Sequence, residues 1–190
     1  MSRKVRRVHY QLDTKQIRHV SERDIRIILR AADPLIMTGG RNLLAKILKG
    51  SKEKRVLELE LNECPVYGAF QTEQLETVKA KIDWMIKHDY LDIEYDYRLP
   101  LLVYSEKGWE IERDTFSDEL LHEIKNIKHP EKHDFDAYLK DRNRGMILLL
   151  LEKIEHTGDP SFIPALEEWK KVDYKKVRNE INRVIQSLKE

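Results

Sequence analysis

The chain has 190 residues, of which 41% are hydrophobic and 36% charged, enough to bury one ordinary core and a small second one. Lys and Arg (35) nearly cancel Asp and Glu (34), but residues 1–55 carry fifteen basic against five acidic residues and residues 56–112 carry five against thirteen, so any affinity for a polyanion belongs to the early part of the chain. A lone cysteine, Cys64, excludes an internal disulfide framework and a zinc site of several cysteines, and the longest apolar run, Met146 to Leu151, is too short to span a bilayer, so the expectation is a soluble, intracellular protein.

Residues 1–20 are basic and weakly periodic, suited to a mobile arm or to a first helix packed on the domain. From Ser21, with Asp24 placed for capping, Ile25, Ile27, Ile28 and Leu29 form an apolar stripe that ends near Asp33-Pro34. Gly39-Gly40 breaks the chain. A short second helix follows from Arg41, with Leu43, Leu44, Ile47 and Leu48 at helical spacing, and stops at Gly50. Lys54 to Leu61 fits a helix or a strand, with a short helix preferred, and a turn follows around Asn62 to Pro65. Thr72 to His88 is an amphipathic helix with Leu75, Val78, Ile82, Met85 and Ile86 on one face. Leu91 to Tyr95 alternates, Asp96 to Pro100 turns, and Leu101 to Tyr104 returns, which predicts a hairpin. Residues 113–140 read as a polar linker or helix, with Lys128 to Asp136 charged and broken by Pro130. Three helices with short turns complete the chain, over Met146 to Ile154, Phe162 to Trp169 and Tyr174 to Leu188.

Three helices and a hairpin within about ninety residues is the order of a winged-helix domain. Gly40-Arg41, Ile47-Leu48-Lys49-Gly50-Ser51-Lys52, Arg55-Val56-Leu57-Glu58, Tyr67-Gly68, Tyr90-Leu91 and Glu106-Lys107-Gly108, in that order and spacing, resemble the RQC domain that follows the helicase core in RecQ proteins. The resemblance covers residues 21–112. The sequence has no Gly-Lys-Ser/Thr phosphate-binding loop and no cysteine-rich zinc module, so it is similar to small free-standing RQC-like bacterial proteins of the RQC-minor type, and helicase activity is not carried over. The fold expected is mostly α with a small β-hairpin: a basic arm over 1–20, a winged helix over 21–112, the polar segment 113–140, and a helical unit over 141–190. Gly158-Asp159-Pro160 through Val177-Arg178 resembles a HEAT repeat, which implies a helix pair that packs on the winged helix, on a copy of itself or on a partner.

The resemblance implies that the loop Lys49-Gly50-Ser51-Lys52 holds DNA phosphates, with Arg41, Lys54 and Arg55 adding charge. Glycine would let the backbone approach, serine would donate a hydrogen bond, and lysines would supply the cation. A helix stopped by Gly50 and flanked by solvated lysines explains the same residues. The helix from Thr72 holds the position of a recognition helix, with Thr72, Gln74, Thr77 and Lys81 toward DNA, although Glu73 and Glu76 make it less basic than such helices usually are. The hairpin is the wing. Tyr95, Tyr97 and Arg98 are the residues for stacking on a terminal base pair, or the tyrosines pack between strands beside Asp92, Glu94 and Asp96. His122, His129 and His133 near Asp134 and Asp136 read as solvated residues rather than metal ligands, and no catalytic motif is present, so no cofactor or metal is expected. The reading is a non-enzymatic DNA-binding protein of the bacterial cytosol or nucleoid, serving repair, replication or recombination. The alternative is a protein-interaction adaptor whose helical end docks a partner.

Overall fold

The computed structural model describes residues 7–140 and 142–190. The first six residues of the basic arm lie outside the described residues. Two compact units, Met1–Glu112 and Arg113–Glu190, divide the chain.

In the first unit, α1 (Glu22–Ala32) starts where the Ser21 hydroxyl accepts the Asp24 N–H at 3.1 Å. Glu22 and Asp24 meet the positive end of the helix dipole there. A 3-10 turn at Asp33–Leu35 ends it at Pro34, as the sequence predicts. Helix α2 (Arg41–Lys49) stops at Gly50, whose φ of 67° is the left-handed conformation glycine adopts without strain. The ambiguous segment from Lys54 is a helix, α3 (Lys54–Glu58). Helix α4 (Leu75–Lys87) starts three residues later than Thr72. The reason is local: the Lys49 ammonium donates to the carbonyls of Phe70, Gln71 and Glu73, which holds that stretch as a turn, and extended Gln74 takes the N-cap position. Thr72 and Glu73 therefore precede the helix.

Strands β1 (Leu91–Asp96) and β2 (Leu99–Tyr104) pair antiparallel from Leu91 with Tyr104 to Asp96 with Leu99. The connecting loop is only Tyr97 and Arg98, shorter than the turn read over Asp96 to Pro100. Met37 to Gly39 runs beside the hairpin: the Met37 N–H donates to Leu102 and the Leu102 N–H to Gly39, each at 2.9 Å. Gly40 passes so close that a Cβ would stand 2.9 Å from the Pro100 carbonyl. Helices α1, α2 and α4 and the hairpin enclose a core of Ile28, Leu29, Leu44, Ile47, Ile82, Met85, Leu91 and Leu102. Burying one such side chain contributes about 1.5–3 kcal/mol. Helix α5 (Glu106–Lys125) continues unbroken through the start of the segment read as a polar linker or helix.

The second unit holds a π-helical turn (Asp136–Lys140) and then α6 (Arg144–Thr157), α7 (Ile163–Val172) and α8 (Lys175–Ser187), three helices where three are predicted. Asn143 caps α6 by accepting the Gly145 N–H at 2.8 Å, and left-handed Gly158 ends it. Helices α6 and α7 both pack on α8. They bury Leu150, Leu151, Ile154, Leu166, Trp169, Ile181 and Val184. The Trp169 indole N–H donates to Asp173 at 2.7 Å, which satisfies both buried polar groups. Among the described residues no His, Cys, Asp or Glu group has the arrangement of a metal site, and no helix is long and apolar enough to cross a membrane.

Candidate nucleic-acid interface

The loop between α2 and α3 is built by a clasp with the segment around Tyr67-Gly68. The N–H groups of Gly68 and Phe70 donate to the end carbonyls of α2, Ile47 at 2.9 Å and Leu48 at 2.8 Å. The Tyr67 hydroxyl donates to the Ser51 carbonyl at 3.0 Å. Gly50 and Gly68 touch, since a Cβ on Gly50 would stand 3.1 Å from the Gly68 Cα. Lys49 closes the clasp through the carbonyls of Phe70, Gln71 and Glu73. Of the residues assigned to phosphate by resemblance, Lys49 and Gly50 thus shape the loop, and its outward rim is Ser51, Lys52, Lys54 and Arg55. The Ser51 hydroxyl accepts the Glu53 N–H at 3.3 Å, and Lys54 is 88% exposed with Glu58 3.4 Å away.

Two other predicted contacts are internal ties. Lys81 lies between Asp24 at 2.8 Å and Glu73 at 2.7 Å, with its ammonium 4.5 Å from the centre of the Phe70 ring. Burial alone lowers its pKa, but the bonds to Asp24 and Glu73 reverse this and hold it above the ordinary lysine value. Arg41 pairs with Asp83, which is only 5% exposed and also accepts the Asp13 N–H at 2.7 Å. Thr77 is half-buried, while Thr72 and Gln74 face solvent.

The arm is neither a helix nor loose: residues 7–20 lie against the domain as irregular chain. The Val8 N–H donates to the Arg98 carbonyl at 3.0 Å, and the Val8 carbonyl accepts the Tyr95 hydroxyl at 2.8 Å. Tyr10 stacks on Tyr95 with ring centres 6.1 Å apart, Arg7 lies 4.9 Å from the Tyr95 ring, and Arg41 lies 5.6 Å from the Tyr10 ring. The Arg41 guanidinium donates to the Gln11 carbonyl at 3.2 Å, and Lys15 reaches Glu76 at 3.2 Å. The arm therefore crosses from the wing to the outer side of α4, and Tyr95 is occupied by it.

Tyr97 and Arg98 form the wing tip. Tyr97 is 66% exposed at a φ of 51°, a conformation usually left to glycine or asparagine, and Leu99 beside it is 58% exposed. Asp92, Glu94 and Asp96 are exposed along β1. Arg55 and the part of β2 from Leu99 to Leu102, which leads away from the wing tip, border one groove, which brings the cationic rim and the wing to a common surface. Leu99, Tyr10 and Asp83 were not singled out by sequence reasoning. Only Asp83 carried a signal, as an acid inside the apolar run from Ile82 to Ile86.

Helices α1, α2 and α4 with a two-stranded wing define a winged-helix protein. Residues 22–125 match the model of the RQC domain, and the chain belongs to that family. The ATP-dependent DNA helicase RecQ of Bacillus subtilis is 27% identical over 96 residues, which is 50% of this chain and 16% of the helicase. No solved structure matches.

Proposed function

We propose that this chain is a non-catalytic DNA-binding protein that engages a duplex end or fork, with the α2–α3 rim on the phosphate backbone and the wing tip at the terminal base pair. The observation that carries this reading is that Arg55 and the wing edge border the same groove in a member of the RQC family. Lys52, Lys54 and Arg55 are the phosphate contacts, because their side chains face solvent while Lys49, Arg41 and Lys81 hold the fold, and the half-buried Ser51 adds its hydroxyl as a donor. Tyr97 offers the exposed ring for stacking. Backbone contact and end recognition carry little base-edge information, so the preference is for DNA shape. Repair, replication and recombination supply such ends and forks.

Three cations on phosphates predict a log–log salt slope near −3, from about −0.9 per phosphate neutralised. Gel shifts with blunt, forked and single-stranded DNA test the proposal, with Lys52→Ala/Arg55→Ala expected to weaken all binding and to flatten that slope. Equal binding by variant and parent removes the rim assignment. The acidic outer side of β1 favours a second reading, an adaptor that holds a protein through residues 141–190. Absence of DNA binding at low salt, with a partner retained only when 141–190 are intact, selects it.

A further inference from the structure

We infer that the groove between the arm, the start of α2 and β2 receives one unpaired nucleotide at a DNA strand end, an inference that rests on the end-binding function proposed above. The groove encloses about 470 Å³, within the range of small-molecule sites. In a chain with 34 acidic residues, and beside a strand carrying Asp92, Glu94 and Asp96, none of the residues lining it is acidic. It holds instead Arg41, Arg55 and His9. Arg55 is exposed and has no ion pair among the described residues, and the Asn42 side chain likewise has no hydrogen bond. Among the described residues the N–H groups of Arg41 and Asn42 have no acceptor, and Gly40 at the N-cap supplies no side chain to them.

This arrangement separates two chemistries. Arg55 and the two amides suit a phosphate, whereas Tyr10, Leu99 and Pro100 offer the aromatic and apolar surface that a base requires. A free anion would use only the first and a lipid chain only the second. A nucleotide uses both. The wall facing β2 is the arm itself, from Val8 to Gln11, so the contacts from Val8 to the wing and from Gln11 to Arg41 build the pocket as well as fastening the arm.

The test compares a blunt duplex with the same duplex carrying a single-nucleotide overhang, for the full chain and for Asn42→Glu. Glutamate in the first turn of α2 suits the helix dipole, so the variant folds while placing a carboxylate in the groove. The parent should bind the overhang about tenfold more tightly, the value of one stacked base, and the ratio should fall to about one in the variant. A ratio of one in the parent, with blunt duplex still bound, overturns the pocket and leaves the end-binding function standing. If no DNA binds, that function fails instead. A titration with deoxyadenosine monophosphate, read from the amide resonances of Gly40, Asn42 and Leu101, then decides the pocket alone: shifts that Asn42→Glu abolishes identify a free-nucleotide site, and no shifts overturn it.

Discussion

Replacing Gly108 by alanine probes how the wing is fixed to α5. A Cβ at this position would stand 1.8 Å from the Tyr90 carbonyl oxygen, 2.9 Å from its carbon and 3.3 Å from a Leu29 methyl. Neither backbone is free to retreat. The Gly108 N–H donates to the Ser105 hydroxyl at 2.9 Å, that hydroxyl donates to the Asp89 carbonyl, and the Tyr90 N–H donates to Met85 at 3.0 Å. Alanine's helix propensity would add about 1 kcal/mol of stability, and overpacking costs about 1–3 kcal/mol or more. Because the clash is with backbone, the upper end applies, and the net loss is about 2 kcal/mol. Urea unfolding with amide exchange in α1 and α2 measures it. Gly145→Ala serves as the control, since its Cβ would meet only side chains, Asn143 at 3.2 Å and Arg113 at 3.8 Å, and it should change stability by less than about 1 kcal/mol. Gly108→Ala as stable as the parent would refute the close approach of α5 to Tyr90.

Lys49→Met should destabilise the first unit by about 1–3 kcal/mol, because it leaves the carbonyls of Gln71 and Glu73 without a donor and that of Phe70 with only the Glu73 N–H, whereas Lys52→Ala should leave the melting temperature unchanged and weaken DNA binding. Tyr97→Ala should cost about 1–3 kcal/mol in binding to blunt ends and almost nothing on a closed circle, measured by competition between the two. The raised Lys81 pKa fixes a pH dependence. Its contribution is fully present below the unfolded value of about 10.4 and is lost as pH rises through the higher folded value. Denaturant titrations should therefore show a gap between parent and Lys81→Met that is flat around neutrality and shrinks only in alkali. A gap that closes near neutral pH would contradict the pairing with Asp24 and Glu73.

Periodicity made the helices legible, because each apolar stripe buries on the core of its own unit, and the alternation from Leu91 made the wing legible for the same reason. Local pattern could not place the start of α4, since the turn before it is held by a lysine 21 residues earlier in the chain, which reaches Phe70. The same limit governed the site. Lys49 and Lys52 look equivalent as sequence, yet one ammonium is directed at carbonyls and the other at solvent. The arm's position was illegible because it depends on long-range pairs such as Asp13 with Asp83 and Val8 with Tyr95, which leave no periodic trace.

The arm also alters what counts as a portable module. The family match begins at residue 22, but Asp83 inside it takes one of its two hydrogen bonds from Asp13, and the wing accepts one from the Val8 N–H and donates one, from Tyr95, to the Val8 carbonyl. A gene fragment cut at the match boundary would leave a nearly buried carboxylate short of a donor and one edge of the hairpin bare. The piece that recombination can carry between proteins without loss is thus longer than the piece that sequence comparison detects, and its extra length is written in residues with no recognisable pattern.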